Sequence, residues 1–319
     1  MERNRRKGSY KLNCTERYDI VLWGPTGSGK DYLMNGFFRQ AQNFDSEDEY
    51  NYKLVYSEGT ISTPGSVINK TPHSTEKEEA VWFNFSRELK SSYKNKNPYH
   101  HNHYHFARIV NNKGEDLVGA TQELIEHKGF RELLKKAKCF ILVLDIPSEQ
   151  DTPMPNKSLV DAWDANRYYE NVDMFFKVLE EESKGKRRNI AICMTKADKC
   201  VYDGDPWEIL AKRYNKDLEK LIRMKKETHN VEVFYISATG FLEESESNSS
   251  CPSIKTPINA AMPFFWFFEM IERERLHTKP RWLITDQRLS KKNYIPYPKP
   301  ITNIRQLRQK MDEKTSKME

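Results

Sequence analysis

The sequence predicts a three-layer α/β fold with a mostly parallel central sheet. Apolar runs typical of buried strands alternate along the chain with segments of helical periodicity, and the first strand leads through a glycine-rich loop into a helix. Such alternation places helices on both faces of the sheet, because parallel strands are joined by crossover helices. With 319 residues, of which 37% are hydrophobic and 31% charged, the chain can bury one elaborated core beneath a large solvated surface.

The elements are predicted in order from these patterns. The run YDIVLW (18–23) is the first strand, and DYLMNGFFRQAQ after the glycine loop is the first helix. Residues 43–80 are polar and show no sustained period, so no element is predicted there. The later elements are strands at 80–85, 103–110, 139–146, 189–195 and 231–237, and helices at 120–138, 158–184, 206–228 and 262–277.

Composition divides the chain into three parts. Residues 1–16 form a basic extension, 17–278 the α/β domain with a long polar insert at 43–102, and 279–319 a basic arm that contains YIPYPKP. The arm holds eleven Lys and Arg against four Asp and Glu, and we expect it to be solvated and partly disordered. Its Pro-rich stretch is a candidate for binding a protein partner, since an extended segment loses little entropy on docking. Nucleic-acid binding by the arm is the alternative that we do not favour.

The cysteines and the hydropathy pattern indicate the cellular compartment of the protein. The five cysteines show no paired short spacing, and Cys139 and Cys193 lie in apolar strand-like runs, which predicts reduced, buried thiols in a cytoplasmic protein. The basic N-terminus has no apolar stretch behind it, so no secretory signal is predicted. The aromatic run at 264–268 is too short for a membrane span, and at helical spacing it predicts core.

The loop GPTGSGK (24–30) has the spacing of a phosphate-binding loop. Its backbone N–H groups can surround a β-phosphate, and Lys30 can reach the β- and γ-phosphates. Asp31 occupies the position that usually offers a hydroxyl to Mg²⁺. The predicted phosphate-binding residues are Gly24, Pro25, Thr26, Gly27, Ser28, Gly29, Lys30 and Asp31.

Two later motifs favour guanine over adenine. Thr195, Lys196 and Asp198 lie in TKAD at the end of a buried strand, where a doubly wound sheet has its ligand crevice. The Asp198 carboxylate can accept from the N1–H and the exocyclic amine of guanine, a donor pair that adenine lacks, while the Lys196 stem lies along the ring. Ser237 and Ala238, at the end of the next strand, can bring a backbone N–H to the guanine O6.

In their order and at these strand ends, the motifs resemble those of P-loop GTPases of the Ras-like and translation-factor class. The resemblance covers residues 18–276 and implies a Ras-like topology, binding of GTP and GDP with Mg²⁺, and action as a GTP-dependent switch. The glycine loop, the long insert and the PFFWFF helix are also similar to GTPase modules of bacterial conflict systems.

The third motif of that class, D-x-x-G, is altered. The preferred register is NNKGE (111–115), because the motif should begin where the strand ends; the alternative is DLVG (116–119). In the first register the resemblance places Asn111 at the Mg²⁺-side carboxylate and Glu115 at the water-positioning Gln. Asp31 is then either a relocated metal carboxylate or a charge that weakens metal binding and abolishes hydrolysis; both hypotheses stay open.

Further residues follow from the resemblance. The switch threonine should precede the strand at 80–85, with Thr71 and Thr75 as candidates and Thr60 and Thr63 less favoured. The resulting predictions are Lys30, Glu115 and Thr75 for catalysis and Asp31, Asn111 and Thr71 for the metal.

Two other features of the sequence, Asp145 and a run of histidines, also suggest metal binding. Asp145 can be a metal-binding carboxylate of an ATPase, but the GTPase interpretation places it away from the metal. His101, His103 and His105 can form a metal site on one strand face, although a merely polar strand end is the favoured interpretation.

The predicted function is a regulatory GTP switch with slow, partner-dependent hydrolysis. Glu115 is a poorer choice than Gln because its charge opposes the developing anion. One alternative is a pseudo-GTPase scaffold that binds nucleotide without turnover. The other is an ATPase or nucleotide kinase, which needs an arginine-rich lid that is not obvious between residues 140 and 200.

Overall fold

Seven strands form one sheet in the order β2-β3-β4-β1-β5-β6-β7. The computed structural model describes residues 17–24, 28–42, 50–56, 79–90, 103–111, 128–146, 158–197, 205–214, 216–238, 257–278 and 297–300. The strands are β1 Arg17–Trp23, β2 Tyr50–Tyr56, β3 Glu79–Leu89, β4 His103–Asn111, β5 Cys139–Asp145, β6 Asn189–Thr195 and β7 Asn230–Tyr235. The helices are α1 Lys30–Gln42, α2 Lys128–Lys136, α3 Ser158–Ser183, α4 Pro206–Ile209, a π turn Leu210–Tyr214, α5 Lys216–Thr228 and α6 Met262–Thr278.

Strand direction divides the sheet into two parts. The strands β4, β1, β5, β6 and β7 are parallel, while β3 runs antiparallel to both β4 and β2. Residues from α1 and α6 form a core on one face, and residues from α2, α3 and α5 form a second core on the other. This arrangement confirms the predicted three-layer, mostly parallel α/β fold. Apart from the additional edge strand β2, its strand order is that of the Ras-like P-loop fold.

The strand β2 lies within the segment 43–80, for which no element was predicted. That prediction is wrong, because residues 51–55 alternate between exposed and buried side chains, as in a half-buried strand. Tyr52 and Leu54 face the core, whereas Lys53 and Val55 face outward. Two inward side chains in a polar surrounding give a weak sequence signal, and antiparallel pairing with β3 along the full strand provides the remaining order.

The single helix predicted at 206–228 is also corrected. It is divided by the π turn Leu210–Tyr214, which separates α4 from α5. The short α4 begins at a regular N-cap: the Asp205 carboxylate accepts hydrogen bonds from the backbone N–H groups of Trp207 and Glu208. Buried residues lie on both sides of the π turn, for example Ile209 and Leu218, so both helical pieces pack on the sheet.

The aromatic run of α6 is core, as predicted. Phe264, Phe265, Phe267 and Phe268 are fully buried. The ring of Phe264 stacks on Phe37 of α1 with the centroids 3.8 Å apart. Stacking of this kind adds to the hydrophobic stabilisation and fixes α6 against α1.

One residue of the C-terminal arm belongs to this core. Tyr297 is buried, and its ring lies against Phe265 of α6 at a centroid distance of 5.6 Å and beneath the Arg87 guanidinium at 4.3 Å. Its hydroxyl donates a hydrogen bond to Glu272. The arm was predicted as a segment for partner binding, and this stays a prediction; in its described part, Tyr297 docks on the chain's own core.

His105 of β4 is a core residue. Its Nδ1 lies 3.0 Å from the Tyr18 hydroxyl, its Nε2 lies 2.8 Å from Oε1 of Glu272, and Phe268 stacks on its ring. Where the structure describes the chain, no group of three His, Cys, Asp or Glu side chains is arranged to hold a metal ion. His101 and the side chain of His103 lie outside that part. These contacts give His105 a structural role, and so favour the interpretation without a metal over a histidine metal site.

The thiols of Cys139 and Cys193 are free and buried, as predicted. Burial raises the pKa of both above the ordinary cysteine range, so both stay protonated and unreactive at neutral pH. Across the described segments, no helix has the length and apolar character that crossing a bilayer requires.

Candidate nucleotide-binding site

The predicted motifs converge at one edge of the sheet, where the parallel strands have their carboxyl ends. The register aligns Leu22 of β1 with Asn111 of β4, and Asp145 of β5 with Thr195 of β6. Because β1 lies between β4 and β5, the loop after β1 opens at the point where the chain connections turn in opposite directions. That crevice is the usual ligand position in open α/β sheets.

Lys30 is the first residue of α1, and its side chain folds back across the loop. Its Nζ donates a hydrogen bond to the carbonyl oxygen of Gly24 at 2.8 Å. Burial lowers the pKa of Lys30 to about 8, and the neighbouring Asp31 carboxylate partly opposes that shift. A phosphate group at the N-terminus of α1 would stabilise the protonated amine again.

Gly29 makes the turn from the loop into the helix. Its φ of +88° lies in the left-handed region that favours glycine. Its carbonyl oxygen accepts the first helical hydrogen bond, from the N–H of Leu33 at 2.8 Å. Pro25, Thr26 and Gly27 lie outside the described residues.

Asp31 and Asn111 are in direct contact. The Asn111 amide donates to Oδ1 of Asp31 at 2.6 Å, which joins the first turn of α1 to the end of β4. Two carboxylates at this distance would repel each other, so the neutral Asn111 is what permits a charged Asp31 here. The one carboxylate of this pair belongs to α1 and not to β4.

The oxygens at this contact fit a hard divalent cation. Asn111 is fully buried, and its Oδ1 accepts no hydrogen bond from the residues that the structure describes. Together with the Asp31 carboxylate it supplies the type of ligand that Mg²⁺ prefers, with phosphate oxygens and water completing the shell. The hydroxyl of Ser28 is likewise buried with no hydrogen-bond partner in the described part.

The other residues predicted for the metal and for catalysis, Thr71, Thr75 and Glu115, lie outside the described residues, as do residues 116–119 of the alternative register. Asp145 ends β5, and its backbone is paired with Thr195.

Thr195 connects the predicted base motif to the phosphate loop. Its hydroxyl donates to the Ser28 carbonyl oxygen at 2.5 Å, and the Leu144 carbonyl oxygen lies 3.3 Å away. The following Lys196 has a φ of +57°, which turns the chain sharply away from β6. Asp198 lies outside the described residues.

Ser237 and Ala238 follow β7 and are buried. Ser237 exchanges two backbone hydrogen bonds with Ile258, at 3.2 and 2.7 Å. This bridge brings the segment that precedes α6 beside the end of β7. Sequence analysis missed the bridge, because it joins residues separated by a long polar loop. It also missed Gly36 of α1, which packs against Ala238 and Ala260; a glycine within a helical pattern was the available signal.

Comparison with known proteins gives likeness at the level of the fold. No protein-family model matches the chain, and no curated protein matches it in sequence. Among solved structures it is similar to the signal recognition particle receptor SRb-GTP/SRX complex from Chaetomium thermophilum, with 15% identity, a TM-score of 0.40, and coverage of 71% of this chain and 93% of that one. It is also similar to the Arl6 BBS3 small GTPase from Trypanosoma brucei with a bound nucleotide analogue, with 13% identity, a TM-score of 0.37, and coverage of 81% and 99%.

Proposed function

We propose that this chain binds guanine nucleotide with Mg²⁺ and acts as a GTP-dependent switch whose slow hydrolysis depends on a protein partner. The observation that carries the proposal is the hydrogen bond from the Thr195 hydroxyl to the Ser28 carbonyl oxygen. It holds the TKAD segment directly against the phosphate loop. One nucleotide can therefore contact both segments.

The base is recognised by the two segments after β6 and β7. Asp198 accepts from the N1–H and the exocyclic amine of guanine, and the backbone N–H of Ala238 donates to O6. Adenine offers the opposite pattern of donors and acceptors, and its binding would leave these polar groups unpaired. The neighbouring ends of the parallel β6 and β7 support this division of roles.

The phosphates bind at the N-terminus of α1. The backbone N–H groups of residues 24–30 surround the β-phosphate, and Lys30 exchanges its bond with Gly24 for the β- and γ-phosphate oxygens. Asp31 and Asn111 would hold Mg²⁺, which would supply positive charge to neutralise the developing charge on the phosphate oxygens. We favour this relocated carboxylate because the Asp31–Asn111 contact retains one negative charge beside the loop.

Hydrolysis is proposed to be slow. Glu115 takes the place of a water-positioning Gln, and its negative charge opposes the developing anion. A protein partner that supplies a cationic side chain would complete the site, and Thr71 or Thr75 would order on the γ-phosphate. The pseudo-GTPase scaffold is the second candidate, favoured by the same Glu115 and by the charge of Asp31 beside the β-phosphate.

Competition binding tests the proposal. A fluorescent GDP analogue bound to the purified chain is challenged with GTP, GDP and ATP, each in Mg²⁺ and in EDTA. We expect displacement by GTP and GDP but not by ATP, weakened by EDTA. Displacement by ATP at equal concentration, or no binding of the analogue, would exclude the guanine site.

A change at the base motif sharpens the test. The Asn side chain in Asp198→Asn presents an N–H donor where the carboxylate accepted, so it should prefer xanthine, which carries a carbonyl in place of the exocyclic amine. Asp198→Asn should therefore lose GDP and gain XDP binding. An unchanged GDP affinity in Asp198→Asn, with no gain of XDP binding, would show that Asp198 does not contact the base.

A further inference from the structure

We propose that Gly36, in the middle of α1, is a positioning residue for guanine recognition. Its missing side chain lets the helix backbone pack directly on Ala238, and this contact holds the Ala238 N–H at the height of the guanine O6. The inference rests on the proposed function, because it concerns the base-binding half of the same site.

The packing around Gly36 is too tight to accept a methyl group without a small shift of its neighbours. A Cβ built on Gly36 would lie 3.0 Å from the Cβ of Ala260, and 3.3 and 3.4 Å from the Cβ and Cα of Ala238. Carbon atoms in favourable contact lie about 3.5–4.0 Å apart. Any side chain at position 36 therefore moves α1, the Ala238 segment or the Ala260 segment by a few tenths of an ångström.

Helix formation does not favour glycine at this position. Within a helix, glycine is less favourable than alanine by about 1 kcal/mol. The positive φ values among described glycines belong to Gly29 and Gly185, so the backbone conformation at Gly36 is open to other residues. The close approach of Ala238 and Ala260 is the physical reason for glycine here.

The same helix serves both halves of the proposed site. Its N-terminus carries Lys30 and Asp31, and its middle supports the segment that reads the base. Ala238 itself directly follows the Ser237–Ile258 bridge. Near the end of α1, Oε1 of Gln40 accepts a hydrogen bond from the backbone N–H of Ala261 at 2.8 Å. The position of α1 thus determines the separation between the phosphate loop and the O6 contact.

A methyl group at position 36 should weaken one specific contact. Displacing the Ala238 N–H weakens its hydrogen bond to O6, and loss of most of a hydrogen bond corresponds to about three- to tenfold in affinity. Inosine diphosphate carries the same O6 but lacks the exocyclic amine. GDP and IDP should therefore lose affinity by the same factor, and their ratio, which reports Asp198, should stay unchanged.

The test compares the natural chain with Gly36→Ala, Ala260→Gly and the double variant. Ala260→Gly removes the methyl group nearest to position 36, so in the double variant the new methyl group can shift toward position 260 and away from Ala238. GDP and IDP affinities are measured by displacement of fluorescent GDP, and thermal unfolding is followed without nucleotide. We expect Gly36→Ala to bind both about three- to tenfold more weakly, Ala260→Gly to bind like the natural chain, and the double variant to recover most of the loss.

Two results would overturn the inference: unchanged GDP and IDP affinity in Gly36→Ala, or a double variant that binds no better than Gly36→Ala. A changed GDP-to-IDP ratio would also overturn it, because the disturbance would then extend beyond O6. If Gly36→Ala does not fold, the double variant decides, and failure of both to fold shows a purely structural role. Failure of the natural chain to bind GDP refutes the proposed function instead.

Discussion

The hydroxyl of Tyr297 lies 2.6 Å from Oε1 of Glu272, so the C-terminal arm is bonded to the last helix inside the core. The same oxygen lies 2.8 Å from Nε2 of His105 on β4. A neutral His105 that donates from Nε2 to the Glu272 carboxylate leaves Nδ1 free to accept from Tyr18, 3.0 Å away. One buried polar network therefore joins β1, β4, α6 and the arm.

Because of this network, two substitutions of Tyr297 should lower the free energy of unfolding by different amounts. Tyr297→Phe keeps the ring and removes a hydrogen bond to a charged group, which should lower the free energy of unfolding by about 1.5–3 kcal/mol. Tyr297→Ala also removes the buried ring and should cost about 3–5 kcal/mol. Urea unfolding measures both. The control is Lys299→Ala in the same segment, where an exposed side chain should change stability by no more than about 0.5 kcal/mol. A Tyr297→Ala effect no larger than that of the control would show that the arm does not dock.

The lowered pKa of Lys30 predicts pH-dependent binding. With a pKa of about 8 in the free protein, Lys30 is already protonated below that pH, while above it nucleotide binding must take up a proton. GDP affinity should therefore be flat from pH 6.5 to 7.5 and fall as the pH rises above 8, approaching about tenfold per pH unit. Competition binding across this range measures the effect.

Lys30→Arg is the matched control for that pH profile, because an arginine stays protonated throughout. Its profile reports any titration of the base and of other groups. Equal slopes for Lys30→Arg and the natural chain above pH 8 would show that Lys30 does not bind the phosphates as an ammonium.

The Asp31–Asn111 contact predicts how the protein responds when a carboxylate is added at position 111, or is moved there from position 31. Asn111→Asp places two carboxylates in contact and should lower the melting temperature of the nucleotide-free protein near neutral pH, with recovery on addition of Mg²⁺. The double variant Asp31→Ser/Asn111→Asp has a single carboxylate, now at position 111, and a hydroxyl at position 31. It should bind GDP with the Mg²⁺ dependence of the natural chain. Thermal unfolding and competition binding measure the two effects. If Asp31→Ser alone bound GTP with Mg²⁺ far better than the natural chain, the relocated carboxylate would be wrong.

The Thr195 hydroxyl should contribute to both folding and binding. Thr195→Val keeps the approximate shape but leaves the buried Ser28 carbonyl oxygen without this donor, at a cost of about 1–3 kcal/mol. GDP affinity should fall because the base segment is no longer held to the phosphate loop. Thr195→Ser retains the hydroxyl and should stay close to the natural chain in both unfolding and GDP competition. A loss in Thr195→Ser with none in Thr195→Val would point to packing of the methyl group in place of the hydrogen bond.

The fold class was predicted correctly from the sequence, and the candidate site was built from residues that the sequence singled out. The strands β1, β5 and β6 were predictable because burial on both faces demands continuous apolar runs, which few other structures produce. The phosphate loop was predictable because its glycines and lysine are close in the chain and serve local geometry. The identities of Asp31 and Asn111 were likewise visible as departures from a known pattern.

Only the tertiary structure decided the contacts between distant segments. The 2.6 Å bond between Asp31 and Asn111 depends on the parallel register of β1 with β4, and the docking of Tyr297 depends on a pocket shared by β3 and α6. Gly36 acquires its importance from Ala238 and Ala260, more than 200 positions later in the sequence. Local patterns encode which face of a segment is apolar, but the partner of that face is chosen by packing over the whole chain. For that reason the sequence predicted the elements and the chemistry of their ends, while β2, the buried arm and the support of the base segment required the folded molecule.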